Sequence, residues 1–153
     1  MEKTAIKRFV GKNDFMSNFY PCRIEYEGIT YPSVEHAFQA AKTFDEEKRR
    51  QIAECPTPKE AKAAGRRVKI RGDWNEAKVG IMHELLLKKF EIPEFKEKLL
   101  GTGDLYLEEG NIHRDKFWGT YMGEGENMLG KLLMKVREHY KGAEGCAKSK
   151  ENG

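Results

Sequence analysis

Glu35, Gln39 and Lys42 lie within the segment Ser33-Val-Glu-His-Ala-Phe-Gln-Ala-Ala-Lys42. Positions 35 to 42 cover nearly two helical turns, so on a helix the three side chains share one face, with Phe38 beside them. Ala37, Ala40 and Ala41 fall opposite, where small side chains let another element pack close. A carboxylate and an amine on consecutive turns are suited to electrostatic stabilisation and nucleophilic attack, provided the site is desolvated enough for the lysine to lose its proton. The plain alternative is a solvated helix face carrying a glutamate, an amide and a lysine.

A second constellation is Glu109-Gly-Asn-Ile-His-Arg-Asp-Lys-Phe-Trp-Gly119, followed by Gly123, Gly125 and Asn127. Glycines leading into a helix N-terminus can form a nest of N–H groups for an anion. The acidic Glu124 and Glu126 oppose that use, and a loop of this composition is more often an ordinary loop. Phe117 and Trp118 can stack a base or pack in a core. Asp115 is a turn carboxylate unless it faces a cleft. The four histidines are not at zinc-ligand spacing, and neither HExxH nor GxSxG occurs. Cys22, Cys55 and Cys146 form no CxxC and read as reduced thiols.

Between Lys59 and Arg71 stand six basic residues against one acid, Glu60. Such a run is a solvated face or a phosphate and nucleic-acid contact; aromatic interleaving is missing until Trp74. The whole chain carries only +3, which excludes a general polycation. With 153 residues, 39% of them hydrophobic, a single domain with a real core is expected. No apolar run approaches the ~18 residues of a membrane span, and Met1–Gly11 has no apolar signal-peptide core. A cytoplasmic protein with no membrane partner is the expectation.

The elements that must hold these residues follow from caps and periodicity. Short strands are expected at Ala5–Val10, Arg23–Glu27 and Ile29–Tyr31, the last two joined by a turn at Glu27-Gly28. Ser33 caps a helix over Val34–Thr43, and a second runs over Asp45–Glu54. Thr57-Pro-Lys-Glu60 opens a third, which Gly65 can end in the left-handed conformation. The longest helix runs from Asp73 to about Phe90, a short one over Pro93–Leu100, and Asn127 caps a last one to Tyr140. Residues 1–140 form the domain, and 141–153, with three glycines and three lysines, read as a disordered tail. The class is α+β: one compact, mostly helical domain with a small sheet from the N-terminal third.

Four segments carry a resemblance to a known family: Phe15-Met-Ser-Asn-Phe-Tyr20, Gly28–Lys42, Asp115-Lys-Phe-Trp-Gly119 and Asn127–Arg137. In this order they resemble the NADAR family, also called YbiA-like, from about Arg8 to Tyr140. The resemblance implies a compact, mostly helical α+β fold and cleavage of an N-glycosidic bond at ribose C1; with no metal-ligand spacing in the chain, neither a metal nor a cofactor is expected. It implies ADP-ribosylated guanine, in nucleic acid or as free nucleotide, or a phosphorylated ribosylamino-pyrimidine of riboflavin synthesis as substrate. Glu35, Lys42 and Asp115 are its catalytic positions here. Asn18, Phe19, Gln39, Trp118, Gly119 and Asn127 are expected to bind substrate. A non-catalytic module that binds ADP-ribose or a modified base is the reading from another class.

Overall fold

The structure, a computed structural model, describes the backbone of residues 4–152 and the side chains of residues 4–143. The elements in order are β1 (Ala5–Ile6), a 3-10 turn (Gly11–Met16), β2 (Ile24–Tyr26), β3 (Ile29–Tyr31), α1 (Val34–Ala40), α2 (Glu46–Ala53), α3 (Pro58–Gly65), α4 (Trp74–Glu91), α5 (Pro93–Leu100), β4 (Tyr106–Leu107) and α6 (Met128–Asn152). Helix dominates, with a small N-terminal sheet, as expected. The chain divides into two compact units: residues 17–89, and the residues up to 16 with those from 90 on.

In the unit of residues 17–89, β2 and β3 form an antiparallel hairpin whose turn is Glu27 (φ 47°) and Gly28 (φ 87°). Two consecutive left-handed residues make the turn type whose twist suits a hairpin, and Gly28 adopts it without steric cost. The three following helices start where local chemistry dictates. The side chains of Ser33, Asp45 and Thr57 accept the backbone N–H groups of His36, Lys48 and Glu60, and Pro58 occupies the first turn of α3. All seven residues of α1 are buried, with α2, α3 and the β2–β3 hairpin packed against it. Phe38 meets the Trp74 ring at 5.0 Å, and Ile24, Ile52, Met82 and Leu85 are sealed from solvent.

The helix α1 ends at Ala40, short of the expected Thr43, so Lys42 sits in a tight turn beyond it. The N–H groups of Lys42 and Thr43 reach back only three residues, to Gln39 and Ala40. Arg71 captures the carbonyls that a longer helix would have used: its N–H donates to Lys42 at 2.8 Å and its guanidinium to Ala41 at 3.3 Å. Gly65 also departs from expectation. It lies inside α3, and the terminal cap is Arg66 in ordinary right-handed geometry.

In the other unit β1 pairs in parallel with β4, Ala5 opposite Tyr106 and Ile6 opposite Leu107. The strand expected over Ala5–Val10 is cut to two paired residues because β4 is only that long. Phe90 meets both Phe15 and Phe95 edge to face at 6.4 Å. Leu129, Leu132, Leu133 and Val136 bury the inner face of α6. The helix continues to Asn152, through the segment read as a disordered tail. Its alanines, lysines and glutamates are good helix formers that offset the glycines.

Candidate active site

Glu35 is the centre of the polar cluster in the unit of residues 17–89. It sits in the first turn of α1 and is only 8% exposed. Its backbone N–H donates to the Asn18 carbonyl at 3.0 Å, which ties the Asn18–Phe19 segment to the start of the helix. One turn on, Gln39 Nε2 donates to Glu35 Oε1 at 2.7 Å. Helical spacing brings the two together, and burial makes the charge-assisted bond strong.

Lys42, half-buried in the turn after α1, is pushed below the ordinary lysine range. Burial is the main cause, the cations Arg66 and Lys62 add to it, and the Glu35 carboxylate acts in the opposite sense. The Glu35 carboxylate thus acts electrostatically on Lys42, which lies beyond the helix rather than on it. The neutral amine, the nucleophilic form, is reached at lower pH than in free lysine.

Two acceptors in this cluster are left over. Gln39 Oε1 and Asn18 Oδ1 are buried without a hydrogen-bond partner among the described residues. Asn18 Nδ2 lies 3.6 Å from Met82 Sδ. Buried acceptors without donors are costly, and a ligand bearing hydroxyl or amine donors would relieve that cost. Phe19, 43% exposed, offers a ring at the surface. Gly65 packs directly on the Gln39 side chain: a Cβ there would overlap the carboxamide oxygen. That close approach, rather than a helix stop, is why glycine stands at position 65.

Next to Glu35, His36 is structural. Its Nε2 faces the Cys55 carbonyl at 2.9 Å and therefore carries the proton, leaving Nδ1 to accept from the Ser33 hydroxyl at 2.7 Å. Burial lowers its pKa.

The second constellation belongs to the other unit. Asp115 Oδ1 accepts the N–H groups of Phe117 and Trp118 at 3.0 and 2.9 Å, an Asx turn that fixes the Trp118 backbone. Phe117 and Trp118 stand edge to face at 4.9 Å. Gly119 is buried and lies so close to the Glu109 carbonyl that a side chain has no room. Asn127 does not cap α6 with its side chain. Its φ is 51°, its Oδ1 accepts from Glu109 N–H at 2.9 Å, and its Nδ2 donates to the Leu107 carbonyl at 2.9 Å. The N–H groups that open α6, Met128 and Leu129, donate to the carbonyls of Phe117 and Trp118. The anion nest imagined there is filled by the chain itself. Glu124 and Glu126 form surface ion pairs with Lys116 and Lys131.

Glu109 is the residue that sequence reasoning passed over. Its carboxyl is pushed up to about 7, first by burial and then by the charge of Asp115, with Arg8 pulling the other way. Its Oε2 is buried without a partner among the described residues. No spacing rule links positions 109 and 115; only the folded loop brings their charges together. Among the described residues no group of three His, Cys, Asp or Glu side chains could hold a metal ion. No helix there is long and apolar enough to cross a membrane.

The profile of the NADAR domain matches residues 7–141. The N-glycosidase YbiA of Escherichia coli is 38% identical over 144 residues, which cover 90% of this chain and 89% of that protein. The N-glycosidase Npun_R5314 of Nostoc punctiforme is 41% identical over 129 residues, 80% of this chain and 82% of the relative. The riboflavin biosynthesis protein VVA0006 of Vibrio vulnificus is 37% identical over 81% of this chain, but this chain spans only 35% of its length. The NMR structure of Escherichia coli YbiA superposes with a TM-score of 0.82 at 33% identity, covering 94% of this chain and 89% of that one.

Proposed function

Because this chain belongs to the NADAR family, we propose that it is an N-glycosidase that hydrolyses the bond between ribose C1 and a base nitrogen, releasing ADP-ribose from guanine. One observation carries the chemistry: a half-buried lysine held below its ordinary pKa beside a buried carboxylate. Breaking this bond develops positive charge at C1 and the ring oxygen, which a nearby carboxylate stabilises, as in glycosidases.

Neutral Lys42 attacks C1 through Nζ as the C1–N bond breaks, and the base leaves with one of the two Nζ protons. The other Nζ proton passes to the ring oxygen, the C1–O bond opens, and a C1=Nζ imine remains. Water adds to C1, returns the sugar as the free aldehyde in equilibrium with its ring form, and restores the amine. Glu35 stabilises charge at the sugar, and Gln39 and Asn18 accept hydrogen bonds from its hydroxyls. Phe19 keeps its expected part in binding.

A second reading is favoured by the names of relatives. The Vibrio vulnificus protein is named a riboflavin biosynthesis protein, as is the chloroplastic PYRR of Zea mays, 36% identical over 82% of this chain, although this chain spans only 35% and 23% of their lengths. In that reading the same bond is cleaved in a ribosylamino-pyrimidine phosphate. The deciding experiment gives the purified protein an ADP-ribosyl-guanine oligonucleotide and a ribosylamino-pyrimidine phosphate side by side, with product masses read out. Release of ADP-ribose supports the first reading and release of ribose phosphate alone the second. Binding of ADP-ribose with neither release supports a reader module. Borohydride added during turnover should leave a sugar adduct on Lys42; robust turnover without an adduct overturns the imine step.

A further inference from the structure

The turn that holds Lys42 borders a groove of about 430 Å³ between Thr43–Asp45 and Arg67–Gly72. Phe44 and Ile70 line it and are 69% and 52% exposed. Large apolar side chains left in water at neighbouring positions on one groove are an unusual expense for a folded surface. Phe44 is also held in place. The Arg71 guanidinium lies 4.2 Å from its ring centroid and is itself clamped by both Asp73 oxygens at 2.6 and 3.0 Å. One face of the ring is therefore backed by a fixed cation.

Three further cations, Lys48, Arg67 and Lys69, line the same groove and are exposed. None has a carboxylate within ion-pair distance among the described residues. The one acid on the groove, Asp45, is engaged in capping α2 through the Lys48 N–H at 3.2 Å. A rigid aromatic platform ringed by separate free cations is the recognition chemistry of a single nucleic-acid strand, with a base stacked on the ring and phosphates on the cations. A duplex hides the faces of its bases, and an acidic peptide has no use for the platform. Arg71 N–H donates to the Lys42 carbonyl at 2.8 Å, so a strand in the groove runs beside the turn that carries the proposed nucleophile.

We propose that this groove binds single-stranded nucleic acid, Phe44 stacking a base and Lys48, Arg67 and Lys69 meeting successive phosphates. In the reading above, which this inference extends, the strand is the one that carries the modified guanine.

The test is anisotropy of fluorescent, unmodified twelve-nucleotide oligothymidylate and oligouridylate, titrated with wild type, Phe44→Ala and the triple variant K48A/R67A/K69A. All these positions are exposed, and melting temperatures check the fold. Wild type should bind at least one strand, and the comparison of the two says whether the sugar is DNA or RNA. The triple variant should weaken binding at least about tenfold in low salt and flatten the log–log salt slope by about 2, at ~0.7 per phosphate. Phe44→Ala should weaken it at least about fivefold with the slope unchanged. No binding of either strand to wild type, unchanged binding by the triple variant, or equal affinity for polyglutamate overturns the proposal.

A kinetic arm compares ADP-ribosyl-guanine in an oligonucleotide with the same base as a mononucleotide. The triple variant should lower kcat/KM on the oligonucleotide alone; equal losses on both overturn a strand site. Intact strand binding without release from either substrate would sink the proposed reaction and leave the groove standing. Release without strand binding would do the reverse.

Discussion

Asn18 and Gln39 in one unit and Asp115 and Asn127 in the other use their polar side chains in opposite ways. Around Glu35, charge is coupled and hydrogen-bonding capacity is left over: among the described residues Gln39 and Asn18 each keep an acceptor without a donor, and Lys42 is desolvated. Around Asp115 and Asn127, the side chains are spent on the chain's own backbone, holding the Trp118 turn and the junction of β4 with α6. Both regions contain amides and carboxylates. The difference teaches that residue type marks a region as important, whereas unspent capacity marks it as ready for a ligand.

The largest expected effect that would break this contrast is at Lys42. Lys42→Ala should lower base release by at least about 10^3-fold while leaving the melting temperature unchanged or raised, because a desolvated amine is removed. An equal loss of stability would put Lys42 among the structural residues instead. Glu35→Gln should lower kcat by about 10^2-fold. It should also move the Lys42 ionisation further down, since the Glu35 charge is what raises it; the pH dependence of Lys42 amine labelling reads this directly.

Gly65→Ala sharpens the comparison by acting on the site through packing. It should displace the Gln39 carboxamide, cost about 1–3 kcal/mol by denaturant unfolding, and impair turnover about as much as Gln39→Ala does. The double variant should be little worse in turnover than Gln39→Ala alone, because the displaced group is already gone.

The smallest effect is expected in the other unit. The folded Glu109 carboxyl titrates near 7 against an ordinary 4.5, so the folded state binds the extra proton between these values. Stability should therefore fall as pH rises from 4.5 to 7 and stay level above. Glu109→Gln should abolish that slope and stabilise the protein at pH 8, as chemical denaturation would measure. A slope that persists would assign it to another group.

Legibility in the sequence followed the range of the interactions. Ser33, Asp45, Thr57 and Pro93 act within a few residues, and the helices they open lie where the sequence places them. The pairing of β1 with β4 spans a hundred residues of chain and leaves no local pattern on two-residue strands. The end of α1 depends on Arg71, thirty positions away from Ala41, so periodicity alone ran the helix too far. Asn127 has the composition of a cap but finds stronger partners in β4 and Glu109. The Glu35–Gln39 pair was legible because helical spacing makes it; the spare acceptors and the proton affinity of Glu109 arise only from burial.

A helix without any solvent face leaves a distinctive mark on a saturation mutagenesis experiment. Ordinary surface helices alternate between tolerant and intolerant positions with a period of 3.6. Every residue of Val34–Ala40 is enclosed, so tolerance should collapse across the whole segment as one uninterrupted block. Selection for new substrates would then find almost no viable steps within α1. Variation would have to enter through the exposed turns around it, with Phe19 and Phe44 as the open positions.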